Sequence, residues 1–245
     1  NIIDGTITST ITISVVDASS DNNFDPVADK TVSATTTDND TAGFTVVQSG
    51  GSTGVAETGT TDTFTVVLTA QPASNVVLTI TSSDTGETTV TGSLTFTQAN
   101  WNSAQTVTVT GVDDNIIDGT ITSTITIAVD DANSDNDFDP VADQTVSATT
   151  TDNDTAGFTV VQSGGSTSVA ETGTTDTFTV VLTAQPASNV VIAMSSNDTG
   201  ETSLSGTLTF TPANWNTAQT ATVTGVDENI IDGNQNSTIT ITIVD

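Results

Sequence analysis

Carboxylates are the side chains of this sequence with the greatest capacity for chemistry. The 245 residues include 30 Asp or Glu and a single basic residue, Lys30, so the formal net charge is −29 at pH 7. His, Cys and Tyr are absent, which removes the Ser-His and Cys-His nucleophile systems, and we expect no enzyme. This charge excludes nucleic acid and anionic membranes as partners. No apolar stretch approaches the roughly 20 residues of a membrane span, so we expect no membrane insertion.

The acidic residues recur with a period of 114. The sequence TDNDTAGFTVVQSGGST begins at Thr37 and again at Thr151, and NIIDG begins at Asn1, Asn115 and Asn229. Residues 37–114 and 151–228 align without gaps and differ at 14 of 78 positions. The sequence therefore predicts part of a repeat array, with the C-terminal part of one repeat at 1–40, a complete repeat at 41–154, and a third repeat at 155–245 that stops near the end of its sixth strand.

The period suits a whole domain rather than a solenoid coil, because a two-sheet antiparallel sandwich needs about 100 residues. Apolar residues alternate with Thr along several segments, as in half-buried strands. We predict an all-β fold of tandem immunoglobulin-like antiparallel β-sandwiches with about seven strands each. In the complete repeat the predicted strands A to G are 43–48, 62–69, 75–81, 93–97, 105–111, 120–129 and 145–151.

Strand direction predicts where the acidic residues meet. Successive antiparallel strands reverse direction, so the A-B, C-D and E-F loops and the end of strand G share one pole of the sandwich. Seven carboxylates of the complete repeat fall there: Glu57, Asp84, Asp113, Asp114, Asp118, Asp152 and Asp154.

This acidic pole predicts a calcium site. Carboxylates so close together repel one another unless a cation intervenes. Oxygen ligands without His or Cys favour Ca²⁺, which accepts six to eight oxygens in irregular geometry. The alternative is that the acidic residues are solvated turn-formers, as single Asp residues in loops usually are.

Four motifs in order along the repeat resemble the Calx-beta domain, which is found in sodium/calcium exchangers and large bacterial surface proteins. They are Val-Ala-Glu at 55–57, Gly-Ser-Leu-Thr-Phe-Thr at 92–97, Thr-Val-Thr-Val-Thr-Gly-Val-Asp-Asp at 106–114, and Asp-Asn-Asp at 152–154. The resemblance implies an immunoglobulin-like sandwich that binds Ca²⁺ at its C-terminal pole. It implies ligand roles for the seven carboxylates above, for Glu171, Asp198, Asp227, Glu228 and Asp232 in the third repeat, and for Asp4, Asp38 and Asp40 in the leading fragment.

The loop between strands F and G is a second candidate site. It carries Asp131, Asp135, Asp137 and Asp139, with an alternation similar to the start of an EF-hand loop but without its glycine. A separate ion in this loop and a loop without one both remain open. Only Thr155 and Ala156 separate Asp154 from Gly157, so we also expect ions where successive repeats meet.

These expectations define a function. We predict a calcium-binding structural repeat of an extracellular stalk or adhesin on a bacterial cell surface, with several Ca²⁺ per repeat that stiffen the domains and their junctions. The predicted partners are calcium ions and neighbouring repeats of the chain. The alternative is a self-assembling, calcium-stabilised subunit of a surface filament or layer. The Thr-X-Thr strands are also compatible with ice binding, but twisted sandwich sheets do not offer a flat array of threonines, which disfavours that function. Paired carboxylates are compatible with glycoside hydrolysis, but the absence of aromatic subsites around them disfavours it.

Overall fold

The computed structural model describes residues 2–244 and divides them into two compact units. Of the described residues, unit 1 contains 2–112 and 122–150, and unit 2 contains 113–121 and 151–244. The predicted domain boundaries after residues 40 and 154 depend on the sequence repeat and stay predictions.

Unit 1 contains a β-sandwich and a separate two-stranded hairpin. One sheet of the sandwich has the order β3-β5-β9-β7, the other has the order β4-β11-β10-β6-β8, and the hairpin is β1-β2. The strands are β1 (Ile7–Ile13), β2 (Lys30–Thr36), β3 (Phe44–Gln48), β4 (Thr53–Ala56), β5 (Thr61–Leu68), β6 (Val76–Ser82), β7 (Thr88–Val90), β8 (Ser93–Phe96), β9 (Gln105–Gly111), β10 (Ile121–Val129) and β11 (Gln144–Thr151).

The all-β antiparallel sandwich predicted from the sequence is confirmed. The seven predicted strands correspond to β3, β5, β6, β8, β9, β10 and β11. The short strands β4 and β7 were missed. Each has at most four residues, too few for period-2 alternation to stand out, and each is stabilised by a partner that is distant in sequence: β11 for β4 and β9 for β7.

Alternation along the strands builds the core of unit 1. This alternation predicts eight inward-facing residues, and all eight are buried: Phe44, Phe64, Phe96, Val66, Leu68, Val109, Ile125 and Ile127. Trp101 is partly buried and packs against this cluster. The core also takes in Phe138, which is fully buried although it lies in the acidic loop after β10.

Unit 2 repeats most of this arrangement. Its sheets have the orders β12-β13-β17-β15 and β16-β14-β18. The strands are β12 (Phe158–Gln162), β13 (Thr175–Leu182), β14 (Val190–Ser196), β15 (Thr202–Leu204), β16 (Leu208–Phe210), β17 (Gln219–Gly225) and β18 (Ile239–Val244). The segment at 167–170, which corresponds to β4, is not a strand, and β18 lies at the edge of its sheet.

Candidate metal centre

A close backbone approach places Glu171 at the end of the sandwich in unit 2. A Cβ atom added to Gly225 would lie 2.1 Å from the carbonyl oxygen of Ala170, so only glycine lets these two segments meet.

The Asp176 carboxylate fixes the segment before Glu171, because it accepts hydrogen bonds from the Ser168 and Thr177 amides at 2.8 and 2.7 Å. These bonds, that of Ser168 first, hold the pKa of Asp176 below its ordinary value.

A turn between β14 and β15 presents Glu201 to the same place. The Gly200 amide donates to Asp198 Oδ1 at 3.1 Å, and the Thr202 amide donates to the Asp198 carbonyl at 3.1 Å. The Glu201 carbonyl accepts a hydrogen bond from the Val226 amide at 2.9 Å. Glu201 is therefore held beside the start of the loop that carries Glu228 and Asp232.

Three of these carboxylates converge. Glu171, Glu201 and Asp232 each contribute one oxygen, and the three oxygens lie within 4.8 Å of one another. Asp198 and Glu228 flank them, with Asp198 Oδ1 and Glu228 Oε2 lying 3.3 and 3.8 Å from the position of a Cβ on Gly200. We call this set site A: Glu171, Asp198, Glu201, Glu228 and Asp232.

The carboxylates of site A repel one another, which is visible in raised pKa values and in one unpaired oxygen atom. Desolvation first, and then the negative charge of Asp232, raise the pKa values of Glu201 and Glu228 above the ordinary value of 4.5. The Glu228 Oε1 atom is buried and accepts no hydrogen bond from the described residues. An unsatisfied buried carboxylate oxygen is costly, and a bound cation would remove that cost.

The donor set fits Ca²⁺. Oxygens that share one Ca²⁺ at about 2.3–2.6 Å each lie at most about 5 Å apart, and the three converging oxygens meet this limit. The donors are hard carboxylate oxygens with no nitrogen or sulfur ligand among them, which favours Ca²⁺ over zinc or copper.

A second acidic group in unit 2, site B, comprises Asp113, Asp114, Asp118, Asp152 and Asp154. Asp152 Oδ2 accepts hydrogen bonds from the Asp118 and Gly119 amides at 3.1 and 2.9 Å, and Asp152 Oδ1 accepts one from the Asp154 amide at 2.6 Å. These bonds, that of Asp154 first, lower the pKa of Asp152 below its ordinary value. Asp152 therefore joins the 113–121 loop to the segment that follows β11.

Asp154 is the carboxylate of site B whose charged form is disfavoured by its surroundings. Desolvation raises its pKa, and the charges of Asp152, Asp113, Asp114 and Asp118 raise it further. Its Oδ2 atom is buried and accepts no hydrogen bond from residues 2–244. Asn153, which stands between the two acids, donates to Asp113 Oδ1 at 2.8 Å.

The leading fragment repeats part of this geometry in unit 1. Asp38 Oδ2 accepts hydrogen bonds from the Asp4 and Gly5 amides at 3.0 Å each, and Asp38 Oδ1 accepts one from the Asp40 amide at 2.8 Å. The backbone hydrogen bonds, that of Asp40 first, lower the pKa of Asp38.

The remaining candidate ligands differ in setting. Glu57 is 1% exposed at the end of β4, and Asp84 forms the same turn as Asp198, accepting a hydrogen bond from the Gly86 amide at 3.0 Å. Asp227 is exposed and belongs to no group of three converging carboxylates among the described residues.

The acidic loop after β10 does not form such a group within the described residues either. Asp135 is 7% exposed and accepts hydrogen bonds from the Ser74 and Asp137 amides at 2.8 and 3.2 Å. Asp131 begins a short 3-10 turn, and Asp137 and Asp139 are exposed. Their role as ligands of a separate ion stays a prediction.

Sequence reasoning missed one acid in each repeat. Glu201 and its repeat equivalent Glu87 were not singled out, although Glu201 belongs to the converging group and Glu87 is 6% exposed. The signal was available, because Asp-Thr-Gly-Glu occurs at both 84–87 and 198–201 and places a second carboxylate on the same turn.

Comparison with known proteins gives structural likeness only. No family model and no curated protein matches the chain. CBD12 from CALX1.2 is 13% identical with a TM-score of 0.33, and the match covers 80% of this chain and 79% of that one. For CBD12 of CALX1.1 the values are 14% identity, a TM-score of 0.30, and 75% and 76% coverage. Domains 4–9 of the surface layer protein SbsC are 17% identical with a TM-score of 0.33, over 89% of this chain and 33% of that one. These scores bear on neither family membership nor function.

Among residues 2–244, no helix is long and apolar enough to cross a membrane.

Proposed function

We propose that this chain is a calcium-binding, non-enzymatic structural repeat of an extracellular stalk or adhesin. In this proposal Ca²⁺ binds at one pole of each sandwich and stiffens both the domain and its connection to the next repeat. The order of motifs resembling the Calx-beta domain supports the assignment to bacterial surface proteins.

The observation that carries the proposal is the convergence of Glu171, Glu201 and Asp232. Folding brings three carboxylates to within 4.8 Å of one another, in a chain whose single basic residue is Lys30. Like charges at this distance oppose folding at neutral pH, whereas a divalent ion between them turns the repulsion into attraction.

The repeat extends the site to the complete domain. The residues 114 positions before site A are Glu57, Asp84, Glu87, Asp114 and Asp118, and site B adds Asp113, Asp152 and Asp154. We infer that an intact repeat places these eight carboxylates at one pole, enough for more than one Ca²⁺ with shared ligands. Bound Ca²⁺ would supply the positive charge there, and the carboxylates would supply its oxygen ligands.

The test is thermal unfolding of the purified chain in chelator and in millimolar Ca²⁺, with direct titration of Ca²⁺ by calorimetry. A ligand at 100 times its Kd stabilises the folded state by about 2.7 kcal/mol per site, so we expect a rise in Tm of several degrees and binding of more than one ion. An unchanged Tm together with no calorimetric signal would refute the proposal. The same titration with Mg²⁺ measures selectivity.

The second candidate function is a self-assembling subunit of a surface filament or layer. The acidic composition favours it, because Ca²⁺ that binds carboxylates within one repeat can equally bridge carboxylates of neighbouring copies.

A further inference from the structure

The loop between β9 and β10 belongs to unit 2, although these two strands lie almost entirely in unit 1. Unit 2 takes in residues 113–121, whereas β9 and residues 122–150 are part of unit 1. The chain therefore passes between the two units three times, at 112–113, 121–122 and 150–151. A linker alone would provide one of these passages, and the loop provides the other two. We call residues 115–119 of this loop, with the sequence Asn-Ile-Ile-Asp-Gly, the NIIDG loop.

A backbone bridge attaches the first half of the NIIDG loop within unit 2. Ile116 pairs with Gln185 in a parallel bridge, and the Gln185 amide donates a hydrogen bond to the Asn115 carbonyl at 2.7 Å. Gln185 is half-buried, and its Nε2 atom donates to the Pro212 carbonyl at 3.1 Å. The glutamine side chain is thus fixed by its own sandwich, which leaves the backbone of Gln185 in place to pair with the loop.

The same bridge occurs one period earlier, within unit 1. Ile2 pairs with Gln71 in a parallel bridge, and the Ile3 amide donates to the Gln71 carbonyl at 3.4 Å. The Gln71 Nε2 atom donates to the Gln98 carbonyl at 2.9 Å, as Gln185 does to Pro212. Ile3 also packs against the hydrophobic core of unit 1.

An aspartate attaches the second half of the NIIDG loop. Asp152 Oδ2 accepts hydrogen bonds from the Asp118 and Gly119 amides at 3.1 and 2.9 Å. Gly119 has a φ of 76°, and successive amides beside such a residue form a concave site for an anion. Asp38 makes the equivalent pair of bonds in unit 1, where Gly5 has a φ of 65°. The loop is therefore held at both ends.

We propose that the NIIDG loop is a docking element that joins each repeat to the one that follows it. Its docking surface in unit 2 has two parts, which are the segment 184–186 after β13 and the segment 152–154 before β12. Both parts bind the loop through backbone groups and one carboxylate, so docking needs no Ca²⁺. The inference goes beyond the proposed function, in which Ca²⁺ adds to a connection that the backbone has already made.

Asp152 is the positioning residue of this arrangement. It accepts three backbone hydrogen bonds, two of them from the loop, and these bonds hold the loop without a metal ion. The loop carries Asp118, and Asp113 and Asp114 directly precede it. Docking therefore brings these carboxylates to unit 2 before any ion binds.

The first test is a disulfide within the chain, made possible because the sequence contains no cysteine. In the Ile116→Cys, Gln185→Cys variant the two cysteines are bridge partners, about 4.8 Å apart, which lies within the Cα separation of disulfides. Ile117→Cys, Gln185→Cys is the matched control, because neighbouring residues of an extended segment point to opposite sides. During oxidation in chelator we expect the first pair to form a monomeric, reducible product at least tenfold faster than the control.

The second test is amide hydrogen exchange in chelator, followed by NMR. The Asp118 and Gly119 amides should exchange slowly in the parent chain, although both residues are exposed. Asp152→Ala removes their acceptor and should speed the exchange of both amides at least tenfold, while the amides of β13 and β17 keep their rates. Asp143→Ala removes an exposed carboxylate elsewhere and should change none of these rates.

Three results would overturn docking of the loop. They are equal rates for the two disulfides, a bridge disulfide that forms only in Ca²⁺, and Asp118 and Gly119 amides that exchange as unprotected amides in the parent. Faster exchange throughout the sandwich in Asp152→Ala would overturn the positioning role of Asp152, while the disulfide rates would still report on the loop.

The outcomes also separate docking from calcium binding. A rapid bridge disulfide in chelator, together with no Ca²⁺ binding in calorimetry, would refute the proposed function and support docking. Ca²⁺ binding together with equal disulfide rates would support the proposed function and refute docking.

Discussion

Single carboxylates decide the chemistry of site A. Glu201 extends from a turn between β14 and β15, and the Val226 amide holds its backbone beside the loop that carries Asp232. Because one oxygen of Glu201 lies within 4.8 Å of oxygens from Glu171 and Asp232, removal of its charge takes away one of the proposed calcium ligands.

Replacement of this residue tests its role. We expect Glu201→Gln to weaken Ca²⁺ binding at one site by about tenfold or more, equivalent to about 1.4 kcal/mol, and to reduce the rise in Tm caused by Ca²⁺. In chelator the same variant should match or exceed the parent in Tm, because a repelling charge is gone. Asp143→Asn removes one exposed charge outside both sites and should change neither quantity. Equal affinities in the two variants would exclude Glu201 as a ligand.

The raised pKa values predict how stability varies with pH. Glu201, Glu228 and Asp154 have pKa values above their ordinary ones, so the folded state binds protons more tightly than the unfolded state. Stability in chelator should therefore increase as pH falls from neutral through these raised pKa values toward the ordinary Glu value of 4.5. Below that range Asp38, Asp152 and Asp176, whose pKa values are lowered, should lose their contribution as they become protonated.

Thermal unfolding in chelator at a series of pH values measures this effect. In saturating Ca²⁺ the dependence should flatten or reverse, because protons then compete with the metal for the same oxygens. A Tm in chelator that falls steadily from neutral pH downward would contradict the raised pKa values of Glu201, Glu228 and Asp154.

At the scale of the strand, glycine controls the approach of two elements to site A. A side chain on Gly225 would overlap the Ala170 carbonyl and displace the segment that ends in Glu171. We expect Gly225→Ala to lower Tm and to weaken Ca²⁺ binding together, measured by unfolding and calorimetry. Gly206→Ala is the matched control, since a Cβ there meets nothing within 4 Å and its φ is not positive. Equal behaviour of the two variants would refute the positioning role.

The acidic loop after β10 is also a structural element. Phe138 enters the core of unit 1 with no exposed surface, and Asp135 binds the amide of Ser74. We expect Phe138→Ala to destabilise this core by about 3–5 kcal/mol in denaturant unfolding. Phe24 occupies the same position in the leading fragment but is 59% exposed, so Phe24→Ala should have almost no effect on the core. Comparable losses in the two variants would show that Phe138 does not seal the core.

At the scale of the whole molecule, the charge of −29 opposes folding wherever no cation is bound. Salt shortens the Debye length from about 10 Å at 0.1 M to about 3 Å at 1 M, and so screens this repulsion. We expect NaCl to raise Tm in chelator markedly and to raise it much less in Ca²⁺. The measurement is a salt series in each buffer. Parallel salt dependences would show that bound Ca²⁺ does not relieve the repulsion.

The sequence by itself determined the period of 114, the all-β class, seven strands of the complete repeat and eight core residues. These features are local or periodic: alternation along a strand reports which face is buried, and strand parity reports which loops share a pole. The same parity predicted one acidic pole for the complete repeat, and the resemblance of its motifs implied ligand roles for Glu171, Glu228 and Asp232.

Only the tertiary structure decided which loop side chains meet. It added Glu201 to the carboxylate group, left Asp227 outside the group of three, and buried Phe138 from a loop that reads as solvated. The physical reason is that loop positions and strand partners depend on turn geometry and on contacts between residues far apart in the chain, which local patterns do not encode.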